Sequence, residues 1–248
     1  MVCFSSIFLN PALMKLGPFE VRWYGVLMAA AFIIGYFILR KLAKDEKING
    51  ELIDIYFIYL FFGLIIGARI GEILFYSPNY YLKYPLEMVK IWHGGLSSHG
   101  AFIGGIIATL LFARKYSEGI KRKVYKKSKI SFYKIADIAV IPIALGSVFV
   151  RIGNFINGEI VGRVASSSLP WAISFEGYAG LRHPVQIYEA LMNFFIFGFL
   201  ILTRNIKKKK KMPNGIVFWS FLFVYSLLRF FVEFFKEFQE IDAGWPIT

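Results

Sequence analysis

Hydrophobic residues in this chain gather in six long unbroken runs, and charge collects in the stretches between them. The runs are roughly Val21–Leu39, Leu52–Tyr76, Leu96–Ala113, Ile135–Ile156, Val185–Thr203 and Gly215–Phe235. Each is near the ~20 residues an α-helix needs to cross a bilayer core. They are continuous rather than alternating, which predicts helices and not a barrel of tilted strands. The expected fold is an all-α polytopic membrane bundle of about six transmembrane helices, a single domain over residues 1–248 with no internal repeat. The first run is polar at its start and lacks a basic leader, unlike a cleaved signal peptide. The connection 157–184, rich in Gly, Ser and Pro, predicts a small structured segment outside the membrane. Lys207–Lys211 reads as a tight turn closed by Pro213-Asn214-Gly215. Gly63, Gly67 and Gly71 recur every four residues, a spacing that lets helices approach closely.

Composition agrees with this pattern. The chain is 57% hydrophobic and 19% aromatic over 248 residues, too apolar and too aromatic for a soluble domain of that size. The net charge of +13 is not a nucleic-acid signal, because the cations sit in alternate loops. Arg40, Lys41, Lys44 and Lys47 follow the first run. Arg114, Lys115, Lys121, Arg122, Lys123, Lys126, Lys127, Lys129 and Lys134 follow the third. Arg204 and Lys207–Lys211 follow the fifth. The positive-inside rule makes these loops cytoplasmic and puts the N-terminus outside. Attraction to anionic membrane lipid is their ordinary role. Cys3 is the only cysteine, which excludes an internal disulfide and thiolate-rich metal sites. With no histidine or base near it in sequence, it reads as incidental.

This orientation gathers polar residues at one end of the bundle. Tyr24, Arg69, Glu72, Ser97, Ser98, His99, Arg151, Asn154, Gln186, Glu189, Tyr225, Arg229 and Glu233 all fall in the outer half. Tyr225, Arg229 and Glu233 share a helical face at i, i+4 and i+8. Several have bland readings. Arg69 and Glu72 at i, i+3 are either a local ion pair or a substrate contact. Arg229 and Glu233 at i, i+4 could neutralise one another. Gln186 and Glu189 read as interhelical glue ahead of chemistry, and Tyr24 could belong with Trp23 to the aromatic belt. Asp137, alone near the inner end, is expected to pair with a basic loop or to cap a helix. Arg151 has no acid three or four residues away on its helix, so it is read as functional.

Two arginines without evident partners, Arg151 and Arg229, point to an anionic ligand, since guanidinium forks match phosphate and carboxylate oxygens. In a cavity facing the outer leaflet, the nearest phosphate belongs to a phospholipid. His99 could accept a proton from a thiol or hydroxyl, or simply bond a neighbouring helix. Ser97 and Ser98 lack a nucleophile-elbow pattern. His93 reads as interfacial, and His93, His99 and His183 have no metal-ligand spacing. A transporter or channel for an anionic solute is the alternative. Against it, the polar residues form no path across the membrane, and no inverted repeat is visible.

The ordered motifs resemble the prolipoprotein diacylglyceryl transferase family over nearly the whole chain. They are Arg22-Trp23-Tyr24-Gly25, Gly67-Ala68-Arg69-Ile70-Gly71, Trp92-His93-Gly94-Gly95-Leu96-Ser97-Ser98-His99-Gly100, the signature Arg151-Ile-Gly-Asn-Phe-Ile-Asn-Gly-Glu159 with Gly162-Arg163, Arg182-His183-Pro184-Val185-Gln186-Ile187-Tyr188-Glu189, and Arg229-Phe-Phe-Val-Glu233. The resemblance implies transfer of the diacylglyceryl group of phosphatidylglycerol to the lipobox cysteine thiol of a preprolipoprotein signal peptide. A thioether forms and glycerol 1-phosphate is released, at the outer side of the bacterial cytoplasmic membrane, with no metal, nucleotide or other cofactor. It implies catalytic roles for His99, Arg151 and Arg229. It implies binding of phosphatidylglycerol by Arg151, Asn154, Glu159, Gly162, Arg229, Glu233, Tyr24 and Tyr225. Three departures are visible. His93 stands where the family usually has another polar residue after Trp. Ile160-Val161 precedes Gly162 where a bulkier pair is usual. The chain also stops at Pro246-Ile247-Thr248, so the family's usual final helix is expected to be missing.

Overall fold

The computed structural model describes residues 10–16, 19–91, 94–117 and 130–237. Cys3, His93 and the Pro246-Ile247-Thr248 end lie outside the described residues. In chain order, strands β1 (Ala12–Leu16) and β2 (Phe19–Arg22) lead into helices α1 (Trp23–Asp45) and α2 (Gly50–Gly71). A π-turn (Glu72–Tyr76) then leads to the short α3 (Pro78–Lys83), a 3-10 turn (Pro85–Val89), α4 (Ser98–Ser117) and α5 (Phe132–Asn157). Strands β3 (Ile173–Ser174) and β4 (Leu181–Arg182) precede α6 (Val185–Lys210) and α7 (Ile216–Glu233). Among the described residues, five helical stretches are long and apolar enough to cross a membrane. They are Trp23–Asp45, Gly50–Tyr76, Phe132–Asn157, Val185–Lys210 and Ile216–Glu233. The third expected run is the helix α4 but is not among these; His99 at its start and Arg114 and Lys115 in its last turn dilute it.

Two compact units emerge, one within Met1–Leu39 and Ala136–Phe238, the other with its described residues in Arg40–Ile135. In the second, α2 and α4 lie backbone to backbone. A Cβ on Gly63 would come 2.5 Å from the Ala108 methyl, and one on Gly71 would come 2.7 Å from Gly100 Cα. A Cβ on Gly67 would strike the Gly100 carbonyl. The glycine repeat therefore meets a second small-residue row, Gly100, Gly104 and Ala108, and packing is what it serves.

In the first unit, α1 and α5 share a seam. A Cβ on Gly35 would lie 3.7 Å from Pro142, one on Gly146 would lie 3.9 Å from Ala31, and one on Gly153 would lie 2.7 Å from the Tyr24 ring. Asp137 is 2% exposed and acts from α5 on α6 and α7. Its Oδ2 accepts from Lys207 Nζ and from Gly215 N, and its Oδ1 accepts from Phe218 N, each at 2.8 Å. It thus satisfies open N–H groups at the start of α7 and pairs with the basic stretch, as expected. The Lys207–Lys211 turn is a correction, because α6 stays helical to Lys210 and only Lys211, at φ 51, leaves it. Lysine is a good helix former, and its charge suits the negative helix C-terminus.

The connection after α5 does form a structured segment. Val161, Ile173 and Phe175 make a small core with Phe155, and Ile173 and Ser174 pair with Arg182 and Leu181. The β1–β2 hairpin, which pairs Ala12 with Arg22 and Leu16 with Phe19, was not foreseen. Its residues alternate too briefly to stand out beside the apolar runs.

Candidate functional site

The signature that ends α5 folds back on itself. Gly158, at φ 68, ends the helix in the left-handed conformation that suits glycine, and Glu159 N returns to the Asn154 carbonyl at 2.9 Å. Ile160 holds φ 55, a strained value for a β-branched residue and of a kind that collects at functional sites. Glu159 is clamped by both signature asparagines: Asn154 Nδ2 and Asn157 Nδ2 each donate to its carboxylate at 3.2 Å. Gln186 Nε2 donates to its carbonyl at 2.6 Å.

Gly162 then enters a narrow slot. A Cβ there would lie 2.5 Å from the His183 carbonyl oxygen, 2.5 Å from Val185 Cγ2 and 2.7 Å from the Phe235 carbonyl oxygen. Residues 162–165 run between two other strips of backbone. On one side Gly162 N and Ala165 N donate to His183 O and Leu181 O, at 3.1 and 2.8 Å. On the other, Arg163 N donates to Phe235 O at 2.9 Å and Arg163 Nε to Lys236 O at 2.7 Å. Arg182 ties this strap further, with Nη1 donating to Gly162 O at 3.3 Å and to the Glu237 carboxylate. That bond holds the Glu237 carboxyl below its ordinary range. Glycine at 162 is thus required by close backbone approach, and the strap fixes the end of α7 relative to the signature.

Beneath the strap lies a charged cluster drawn from three helices. Glu189 of α6 is 1% exposed. Its Oε2 lies 2.5 Å from Arg151 Nε on α5, and its Oε1 lies 3.1 Å from Arg229 Nη1 on α7. Neither contact meets hydrogen-bond geometry, so both carboxylate oxygens and Arg229 Nη1 are buried without a hydrogen-bond partner among the described residues. The approach is ionic and imperfectly saturated. Arg229 Nη2 also meets Glu233 Oε2 at 2.6 Å, and Arg151 Nη1 makes a long 3.5 Å bond to Asn154 Oδ1. The reading of Arg151 and Arg229 as unpartnered is therefore corrected. Their shared anion sits on another helix, where spacing along one helix cannot reveal it.

Of the residues singled out in sequence, Arg151, Asn154, Glu159, Gly162, Arg229 and Glu233 come together here. Tyr24 packs on Gly153, which lies between Arg151 and Asn154 on α5. Tyr225 stacks on Phe221 at 5.7 Å. His99 belongs to the other unit, where its Nδ1 is 2.9 Å from Tyr76 Oη. Arg69 does not pair with Glu72 among the described residues; its guanidinium is committed to backbone carbonyls. Glu189 was undervalued in sequence. Lys236, just past α7, was missed: burial first, then Arg229, lowers its ammonium pKa, with Glu189 and Glu233 opposing. Its spacing of three residues from Glu233 was the available signal.

Comparison with known proteins bears on this arrangement. A family model described as "Prolipoprotein diacylglyceryl transferase" matches residues 11–246. The phosphatidylglycerol--prolipoprotein diacylglyceryl transferase of Tolumonas auensis is 40% identical over 237 residues, covering 95% of this chain and 86% of that protein. The protein of the same name from Geobacter sulfurreducens is 40% identical over 233 residues, covering 92% and 83%. That of Rickettsia bellii is 34% identical over 243 residues, covering 96% and 86%.

Proposed function

Since this chain belongs to the prolipoprotein diacylglyceryl transferase family, we propose that its three-helix arginine–carboxylate cluster holds the phosphate of phosphatidylglycerol during transfer. The protein is a multi-pass membrane transferase that carries out the first step of lipoprotein maturation. Its two substrates follow from the name its relatives bear: phosphatidylglycerol and a prolipoprotein. The alternation of basic loops supports a site facing the outer leaflet, with those loops cytoplasmic.

The thiol of the lipobox cysteine is the nucleophile, and it reacts as thiolate. The sulfur attacks the glycerol carbon bonded to the phosphate oxygen. A C–S bond forms, the C–O bond breaks, and glycerol 1-phosphate carries away the electron pair. His99 takes the thiol proton, directly or through water. The leaving phosphate gains charge, and fixed cations stabilise it best when they need not reorganise. Arg151 binds the phosphate and Arg229 assists the leaving group. Glu189 holds both guanidiniums in place, while Asn154, Glu159 and Glu233 orient the headgroup and the arginines. Tyr24 and Tyr225 contact substrate, and Gly162 lets the strap close over the site.

One observation carries this reading: Arg151 and Arg229, from different helices, converge on the single buried carboxylate of Glu189. Two guanidiniums offer about ten N–H donors, and Glu189, Glu233 and Asn154 engage only some of them. The remaining donors suit the oxygens of a phosphate in geometry. The test is the phosphatidylglycerol dependence of transfer in Arg151→Lys and Arg229→Lys. Lysine keeps the charge and loses the fork. We expect a KM for phosphatidylglycerol raised about tenfold or more in Arg151→Lys, which is ~1.4 kcal/mol of lost binding, and a lowered kcat in Arg229→Lys. Wild-type kinetics in both would overturn the phosphate role. A normal rate in His99→Gln would place the base elsewhere.

A further inference from the structure

We propose that Arg69 is the positioning residue for His99, acting through the backbone of Gly94 and Gly95. This rests on the reading of His99 as the base for the thiol. Arg69 is 5% exposed near the end of the apolar helix α2, where a guanidinium is costly unless its donors are satisfied. They are. Nε donates to Met88 O at 3.0 Å, and Nη1 donates to Gly94 O at 2.5 Å and Gly95 O at 2.9 Å. Nη2 donates to Glu87 O and, at 3.2 Å, to Lys90 O. A guanidinium has five N–H donors, so none is left for a substrate oxygen. The Tyr81 ring closes one side, with its centroid 4.9 Å from Cζ.

The acceptors form two groups. Glu87, Met88 and Lys90 belong to the segment around the 3-10 turn, and Gly94 and Gly95 to the approach to α4. Both glycines hold left-handed φ values, 87 and 71, and a Cβ on Gly95 would lie 2.9 Å from Tyr81 Oη and 3.1 Å from Arg69 Nη1. This backbone is therefore moulded to the guanidinium. Directly after it, Ser97 N donates at 3.0 Å to the carbonyl of Ala68, the neighbour of Arg69. Ser97 Oγ accepts from Gly100 N at 3.1 Å to cap α4, and His99 lies in that first turn. The other hold on His99, the Tyr76 hydroxyl at 2.9 Å, comes from the π-turn that continues α2 just past Arg69. Both routes to the imidazole start from the turn of helix that carries Arg69. Carbonyl oxygens are neutral, so what Arg69 supplies here is geometry; the requirement is for a planar fork, which lysine lacks.

The test compares Arg69→Lys, His99→Gln and the double variant in the full-length protein, with Gly95→Ala as a second perturbation that leaves Arg69 intact. A misplaced proton acceptor lowers the rate without touching lipid binding. We expect kcat to fall on the order of tenfold to a hundredfold in Arg69→Lys, with KM for phosphatidylglycerol unchanged and the same pattern in Gly95→Ala. The double variant should be no slower than His99→Gln alone. Amide hydrogen exchange should rise at residues 94–99 while the interiors of α2 and α4 keep wild-type protection. A raised KM at constant kcat would make Arg69 a substrate contact and overturn the proposal, as would losses that add in the double variant. A wild-type rate in His99→Gln removes the base reading instead. Exchange then judges the hold of Arg69 on this backbone: faster exchange supports it and unchanged exchange overturns it.

Discussion

Replacing Glu189 by glutamine changes one charge at nearly constant volume, at the point where α5, α6 and α7 meet. In the native protein its carboxylate lies 2.5 Å from Arg151 and 3.1 Å from Arg229, and its side chain is 1% exposed. Each contact contributes about 4 kcal/mol of attraction at an effective dielectric near 20, much of it offset by the cost of taking the charges out of water. Glutamine removes both attractions and leaves two cations facing each other. Losing one partner of a buried pair costs roughly 3–5 kcal/mol. The two arginine side chains are 17% and 24% exposed, so solvent relieves part of that, and about 3 kcal/mol of stability loss is expected. The control is Glu233→Gln. Glu233 also meets Arg229, at 2.6 Å, but is 54% exposed, and such a pair is worth less than about 1 kcal/mol. Thermal unfolding in detergent reads the first quantity. Transfer to a lipobox peptide by the folded fraction reads the second, where Glu189→Gln should lower kcat/KM about a hundredfold through misplaced arginines. If Glu189→Gln unfolds like Glu233→Gln and keeps wild-type kcat/KM, the carboxylate neither holds the arginines nor matters to the site.

Two further outcomes follow from the packing. Asp137→Asn loses the charge that pairs with Lys207 and one oxygen of the set that accepts from Gly215 N and Phe218 N; it should lose about 3 kcal/mol in an unfolding titration, and Asp137→Asn with Lys207→Met should recover part of that. Gly104→Ala drives a methyl into the Gly63 carbonyl and to 2.8 Å from Gly67 Cα. It should cost about 1–3 kcal/mol in the same titration, whereas Gly25→Ala, with nothing within 4 Å of its new methyl, should leave stability unchanged.

What could be read from the chain alone was whatever depends on local pattern. The apolar runs mark the helices, and the four-residue glycine repeat marks the α2–α4 contact. Asp137 was legible because a lone acid near a basic loop has few other roles. The pairing of Arg151 with Glu189 was not, since it joins residues 38 apart on different helices and leaves no i, i+3 or i, i+4 trace. Arg69 misled for a related reason: Glu72 is the visible partner along the helix, but the real ones are main-chain carbonyls, which side-chain identity does not record. The slot around Gly162 depends on the Phe235 carbonyl, brought in by the fold from the far end of α7. Lys207–Lys211 looked like a turn because charge interrupts the apolar run, whereas buried pairing of Lys207 with Asp137 keeps α6 helical to Lys210.

The most direct test of the account is transfer by purified protein with phosphatidylglycerol and a lipobox peptide, with and without its cysteine, read by mass spectrometry. A cysteine-dependent diacylglyceryl thioether with release of glycerol 1-phosphate is expected, with loss of both in an Arg151→Ala protein that still folds. Full product formation by folded Arg151→Ala would contradict it.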